Sequence, residues 1–118
     1  MELDPRELKL IKQAIKARVT GCCEWDEEEG RRVMREYPEL GHYGLTLKGI
    51  KAILIDYVCS SGDIEQRREE RHRWKDEYDF WYRAVIDVED IPKPLFVEVR
   101  FIQEGPTLPV VRIVSAHF

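Results

Sequence analysis

The chain has no apolar run approaching the roughly 20 residues a membrane-spanning helix needs. Its opening, Met1-Glu2-Leu3-Asp4, leads straight into a charged segment without a signal-peptide core. These two absences predict a cytoplasmic protein with no membrane partner. Cysteine is scarce: Cys22, Cys23 and Cys59 are odd in number, two of them adjacent, which excludes a disulfide framework and predicts reduced thiols. Cys22-Cys23 lack metal-ligand spacing and His42, His72 and His117 are scattered, so neither a metal nor a cofactor is expected. No nucleotide-binding glycine loop, hydrolase elbow or metalloprotease motif is present, which removes those enzyme classes. Positive charge is not in excess either. With 19 basic against 23 acidic residues the formal charge is −4, so a nucleic-acid role must rest on a local patch.

What is present is a soluble composition, 43% hydrophobic and 36% charged, in 118 residues. That length suits one domain over 1–118 with one core. Three runs rich in β-branched and aromatic residues, Phe80 to Val88, Leu95 to Ile102 and Val110 to His117, are bounded by Pro, Gly or Asp and read as an antiparallel meander. Upstream, Asp4 suits an N-cap before Pro5, with Glu7 placed to reach back to the cap. Leu8, Ile11, Ile15 and Val19 then form an apolar stripe ending before Gly21. Asp26 caps a second helix that Pro38 stops, and Pro38 to Tyr43 reads as a loop. Thr46 caps the strongest amphipathic pattern, Leu47 to Cys59, and Gly62 suits the left-handed terminating position. Cys59 reads as a small packed hydrophobe.

Ile64 to Asp79 admits two readings. Its propensity is helical, but it lacks an apolar stripe, and alternation favours a charged edge strand from Ile64 to Trp74 hairpinned onto Phe80 to Val88. The expected architecture is therefore α+β: helices packed on one face of a three- or four-stranded, mainly antiparallel sheet. Residues 1–43 form a helical N-terminal extension and 44–118 hold the Leu47 to Cys59 helix plus the sheet.

Alternation assigns Leu95, Val97, Val99 and Phe101 to the core face and leaves Phe96, Glu98, Arg100 and Ile102 opposite. Likewise Trp81, Arg83, Val85 and Asp87 share the uncovered face of the preceding strand, while the last strand is apolar on both faces. Arginines on a semi-apolar face can hold phosphates, and a histidine can move protons. Arg83, Arg100, Arg112 and His117 are the candidate site residues on this basis. The competing structural reading makes Arg83 and Arg100 cross-strand ion-pair partners of Glu98 and Asp87. Trp25, Trp74 and Trp81 are able to stack on bases but fit core or edge positions as well.

The order of elements, with Tyr82-Arg83-Ala84 in one strand and Val111-Arg112-Ile113-Val114-Ser115-Ala116 in the last, resembles the small RelE-like toxins, closest to the BrnT type. The resemblance covers residues 44–117. It implies a RelE-like fold and a metal-independent RNA endonuclease acting on free or ribosome-bound RNA, held inactive by an antitoxin protein. Arg83 and Arg112 match family positions, and His117 stands where the family commonly has Arg. The acidic balance departs from that family, whose members tend to be basic, and the first forty residues have no counterpart in it. The second function in view is a non-enzymatic interaction module that binds a partner, or a second copy as a homodimer, through the exposed Ile64 to Trp74 edge.

Overall fold

A computed structural model describes residues 3–102 and 108–118. The connection read between the last two strands falls at 103–107, outside the described residues. The chain is α+β. Its elements in order are α1 (Pro5–Lys16), β1 (Cys23–Trp25), α2 (Glu27–Glu36), α3 (Pro38–His42), α4 (Leu47–Cys59), β2 (Glu65–Arg68), β3 (Phe80–Ile86), β4 (Leu95–Phe101) and β5 (Val111–His117). No helix among the described residues is long and apolar enough to cross a membrane.

The expected caps form. Asp4 accepts from the Arg6 and Glu7 amides, Asp26 from Glu29 and Thr46 from Gly49, so orphan N–H groups at three helix starts are satisfied. Glu7 does not reach back to its cap; its carboxylate instead accepts from the Tyr82 hydroxyl at 2.7 Å. Helix α1 ends at Lys16, so Val19 falls outside the stripe and is 47% exposed. Pro38 starts a helix rather than a loop, because at the first helical position its missing N–H costs nothing. After α4 the left-handed residue is Ser61, with φ 69°, and not Gly62. Gly62 is required for a different reason: a Cβ there would lie 2.5 Å from the Tyr57 carbonyl oxygen. Cys59 is exposed rather than packed.

The sheet is mixed and has five strands in the order β1-β5-β4-β3-β2, where three or four mainly antiparallel strands were expected. The added strand is β1, which pairs parallel to β5 with Cys23 opposite Val111 and Trp25 opposite Ile113. Residues 1–43 are thus no purely helical extension. The three residues Cys23–Trp25 are too few to show alternation, and the pairing with β5 makes the strand. At the other edge β2 ends at Arg68, far short of the expected Trp74. Opposite-partner pairing with β3 runs from Glu65·Arg83 to Arg68·Phe80, after which the chain turns through 71–78.

Helices α1 and α4 cover the inner face. Ile11, Ile15, Ile50, Leu54 and Val58 join Tyr82, Leu95, Val97, Val99 and Ile113 in one buried core. The Trp25 indole N–H, on this same side, donates to the Leu47 carbonyl at 2.8 Å and ties β1 to α4. The double apolar character of β5 comes from a β-bulge. Glu98 pairs with Ser115 but Val99 pairs with Ile113, so Val114 is the extra residue. Val111 and Ile113 face inward before it and Ala116 after it. The bulge leaves His117 on the outer face, opposite Phe96.

Candidate functional site

The outer face of the sheet is divided by the segment that follows β2. From Glu69 to Asp79 the chain folds back over β4, and Trp74 and Tyr78 lie over the Arg100 guanidinium at 4.7 and 5.1 Å. Arg100 is completely buried. Its terminal nitrogens donate to Glu69 at 2.5 Å and to Glu98 at 3.0 Å, while its Nε has no hydrogen-bond partner among the described residues. Glu69 is buried too; burial pushes its carboxyl up, and hydrogen bonds from Arg71 and Arg100 outweigh that and hold it below the usual carboxylate range. This is a roofed ion-pair cluster. An arginine so enclosed is a structural partner of two carboxylates.

Beside the roof the face is open. Arg83 on β3 and Glu98 on β4 are direct cross-strand neighbours, and Phe96 and His117 are the next such pair along. A concavity of about 380 Å3 is lined by Arg71, Trp81, Arg83, Phe96, Glu98 and His117, with Val97 and Ser115. His117 stacks on Phe96 at 5.5 Å and tilts against Tyr37 at 5.4 Å, so its ring is held from two sides. Its Nδ1 lies 3.2 Å from the Phe118 carbonyl oxygen. The Arg83 guanidinium sits 5.5 Å above Phe96 and donates to Glu65 at 2.7 Å; its Nε is buried with no partner among the described residues. Arg83 and Arg67 hold the Glu65 carboxyl below its ordinary range.

Arg71 links the two zones. It grips Glu98 with both terminal nitrogens, at 3.0 and 2.9 Å, bonds Glu69 at 3.0 Å through Nε, and lies 4.6 Å over the Trp81 ring. Burial alone would lower its pKa, but the two glutamates raise it above the ordinary arginine value.

Of the four candidates, then, Arg83 and His117 share one concavity. Arg100 lies under the roof on the same side. Arg112 pairs opposite Arg100 and donates to the Gly21 and Val111 carbonyls. It is five residues from His117, about 16 Å along an extended strand. Glu98, expected only as an ion-pair partner, lies within the concavity. Asp87 is not in β3, which ends at Ile86, and the Arg83 side chain goes to Glu65 instead. Tyr82 faces the core, bonded to Glu7 and Gln66, and burial with the Glu7 carboxylate pushes its phenol pKa well up. Arg71 carries no periodic signal, since it lies beyond the end of β2.

Among the described residues no group of three His, Cys, Asp or Glu side chains is placed to hold a metal ion. Comparison with protein-family models, with curated proteins and with solved structures found no match for this chain.

Proposed function

We propose that the chain is a toxin-like RNA endonuclease that works without metal, with its site in the open concavity. The observation that carries the reading is that Arg83, Glu98 and His117, an anion holder and two proton-transfer groups, line one cavity on three adjacent strands. Cleavage of RNA by its own 2′-hydroxyl needs a base, an acid and cations for the phosphate, and these side chains are of those types. The phosphate draws Arg71 from Glu98 onto its non-bridging oxygens, beside Arg83, whose Nε is an unused donor. The Glu98 carboxylate, so released, accepts the 2′-hydroxyl proton as that oxygen attacks phosphorus. His117, in its protonated form, gives a proton to the departing 5′ oxygen. The products are a 2′,3′-cyclic phosphate and a free 5′-hydroxyl. Arg100 and Arg112 have no direct part in this scheme; Arg100 keeps Glu98 and Glu69 in place. An antitoxin-type protein that covers the open face, and the ribosome as carrier of the RNA, are the partners this reading brings.

The interaction-module reading rests on β2 as the terminal strand of the sheet. That edge is four residues long, and Glu65, Arg67 and Arg68 are exposed. So short and charged an edge discourages strand addition. The deciding experiment is cleavage of total RNA by the purified chain, with chelator present, beside His117→Ala and Glu98→Gln. Each variant is expected to lose about 10²- to 10⁴-fold in rate, and wild-type products should end in a cyclic phosphate. No cleavage of free or ribosome-bound RNA by the wild type refutes the proposal.

A further inference from the structure

The open concavity is one of three that run into one another. On the β2 side a basin of about 610 Å3 shares Trp81 and Arg71 with it and adds Arg67 and Arg68. On the α2 side a basin of about 310 Å3 shares Arg71, Glu98 and His117 and adds Tyr37, Arg73 and Trp74. Six arginines against three glutamates line the three basins, in a chain where acidic residues outnumber basic ones. Aromatic rings recur along the path: Trp81, then Phe96, then Tyr37 and Trp74. Arg68 is exposed and makes no ion pair among the described residues, and Arg73, 60% exposed beside the Trp74 ring, is paired with the buried Glu29.

We infer that the substrate of this site is a single-stranded RNA of at least three nucleotides, laid in a groove from Arg67 and Arg68 past Trp81 and His117 to Trp74. The inference rests on the nuclease reading and adds the substrate's form. Alternating cations and ring faces suit a backbone whose bases are free to stack on protein, about one nucleotide per basin, and a duplex withholds those base faces. The local excess of arginine supplies the charge complementarity that the chain as a whole lacks. Glu29, Glu70 and Glu98 break the groove's positive charge, so affinity depends on ring stacking as well as charge.

The test separates binding from chemistry. Fluorescence anisotropy with a 2′-O-methyl hexanucleotide, which cannot be cleaved through its 2′ oxygen, is expected to show saturable binding that the same strand in a duplex lacks. Trp81→Ala should weaken binding about 5- to 150-fold, the range for one stacked base. R67A/R68A, at exposed positions, should lower the salt slope of log affinity by about 0.7 for each arginine. Cleavage should be faster on hexanucleotides than on dinucleotides. If RNA is cleaved but dinucleotides react as fast as hexanucleotides and R67A/R68A changes nothing, the groove is overturned while the nuclease reading stands. If the wild type neither binds nor cleaves RNA, both fall. Binding of a polyglutamate peptide as tightly as the hexanucleotide would make the groove a seat for an acidic protein segment and overturn the RNA assignment.

Discussion

Arg100 and Arg83 sit on adjacent strands, face the same side of the sheet, and each touches a carboxylate and an aromatic ring. Their surroundings give them opposite roles. Arg100 has no exposed surface, two aromatic rings above it and two glutamates around it. Arg83 keeps 27% of its side chain exposed, and its one ion-pair partner among the described residues, Glu65, is itself half exposed. Burial turns the same guanidinium from a ligand holder into a strut. A buried pair is costly to break, because a lone charge then stays out of water, whereas an exposed pair contributes little. Covering, more than residue type, divides this sheet face into a structural half and a chemical half.

The contrast is broken most severely at Arg100. Arg100→Ala leaves Glu69 buried with a missing partner and is expected to cost about 3–5 kcal/mol, seen as a large fall in the denaturant midpoint. If stability is unchanged, the roofed cluster is no strut. Tyr82→Phe, on the core side, removes the hydroxyl shared by Glu7 and Gln66 and should cost about 1–3 kcal/mol by the same measurement. Arg83→Ala should shift stability by no more than about 1 kcal/mol while abolishing RNA cleavage. A loss of stability as large as that of Arg100→Ala would erase the distinction between the two halves. The smallest effect is the acid response. Because the folded Glu69 carboxyl is held below its ordinary range, its contribution is full above about pH 4.3 and declines as pH falls through the folded value. Glu69→Gln should flatten that part of the stability profile relative to wild type.

The meander and the three long helices were legible because each has local punctuation and periodicity. Asp4-Pro5, Asp26 and Thr46 cap where their side chains predict, and the inward sets of β3 and β4 follow simple alternation. Strand β1 was not legible, since its pairing partner lies some ninety residues away and nothing in Cys23-Glu24-Trp25 announces a strand. Nor was the roof. Glu69 and Arg71 look like members of a solvated charge run, and only the turn at 71–78 brings Trp74 and Tyr78 over Arg100. Arg83 was readable as an outer-face residue by alternation within β3, and His117 as a proton-transfer residue by its chemistry, while the face it takes on β5 was left open by two apolar sets. That Glu98 joins them, and that Arg112 lies elsewhere, depends on cross-strand register, which no single strand encodes.

Val114 makes β5 behave like a sentence with one extra letter. Upstream of it the odd-numbered residues face the helices; downstream of it the even-numbered Ala116 does. Were the bulge closed and Val114 paired with Glu98, the frame of the C-terminal end alone would shift. The imidazole would turn toward the core and the Ala116 methyl group would stand in the groove, with the pairings of Val111 to Ile113 intact. The chemistry of the outer face is therefore tied to one bulge, and a chain lacking Val114 would become a regular strand that keeps Ser115, Ala116 and His117 opposite Glu98, Val97 and Phe96.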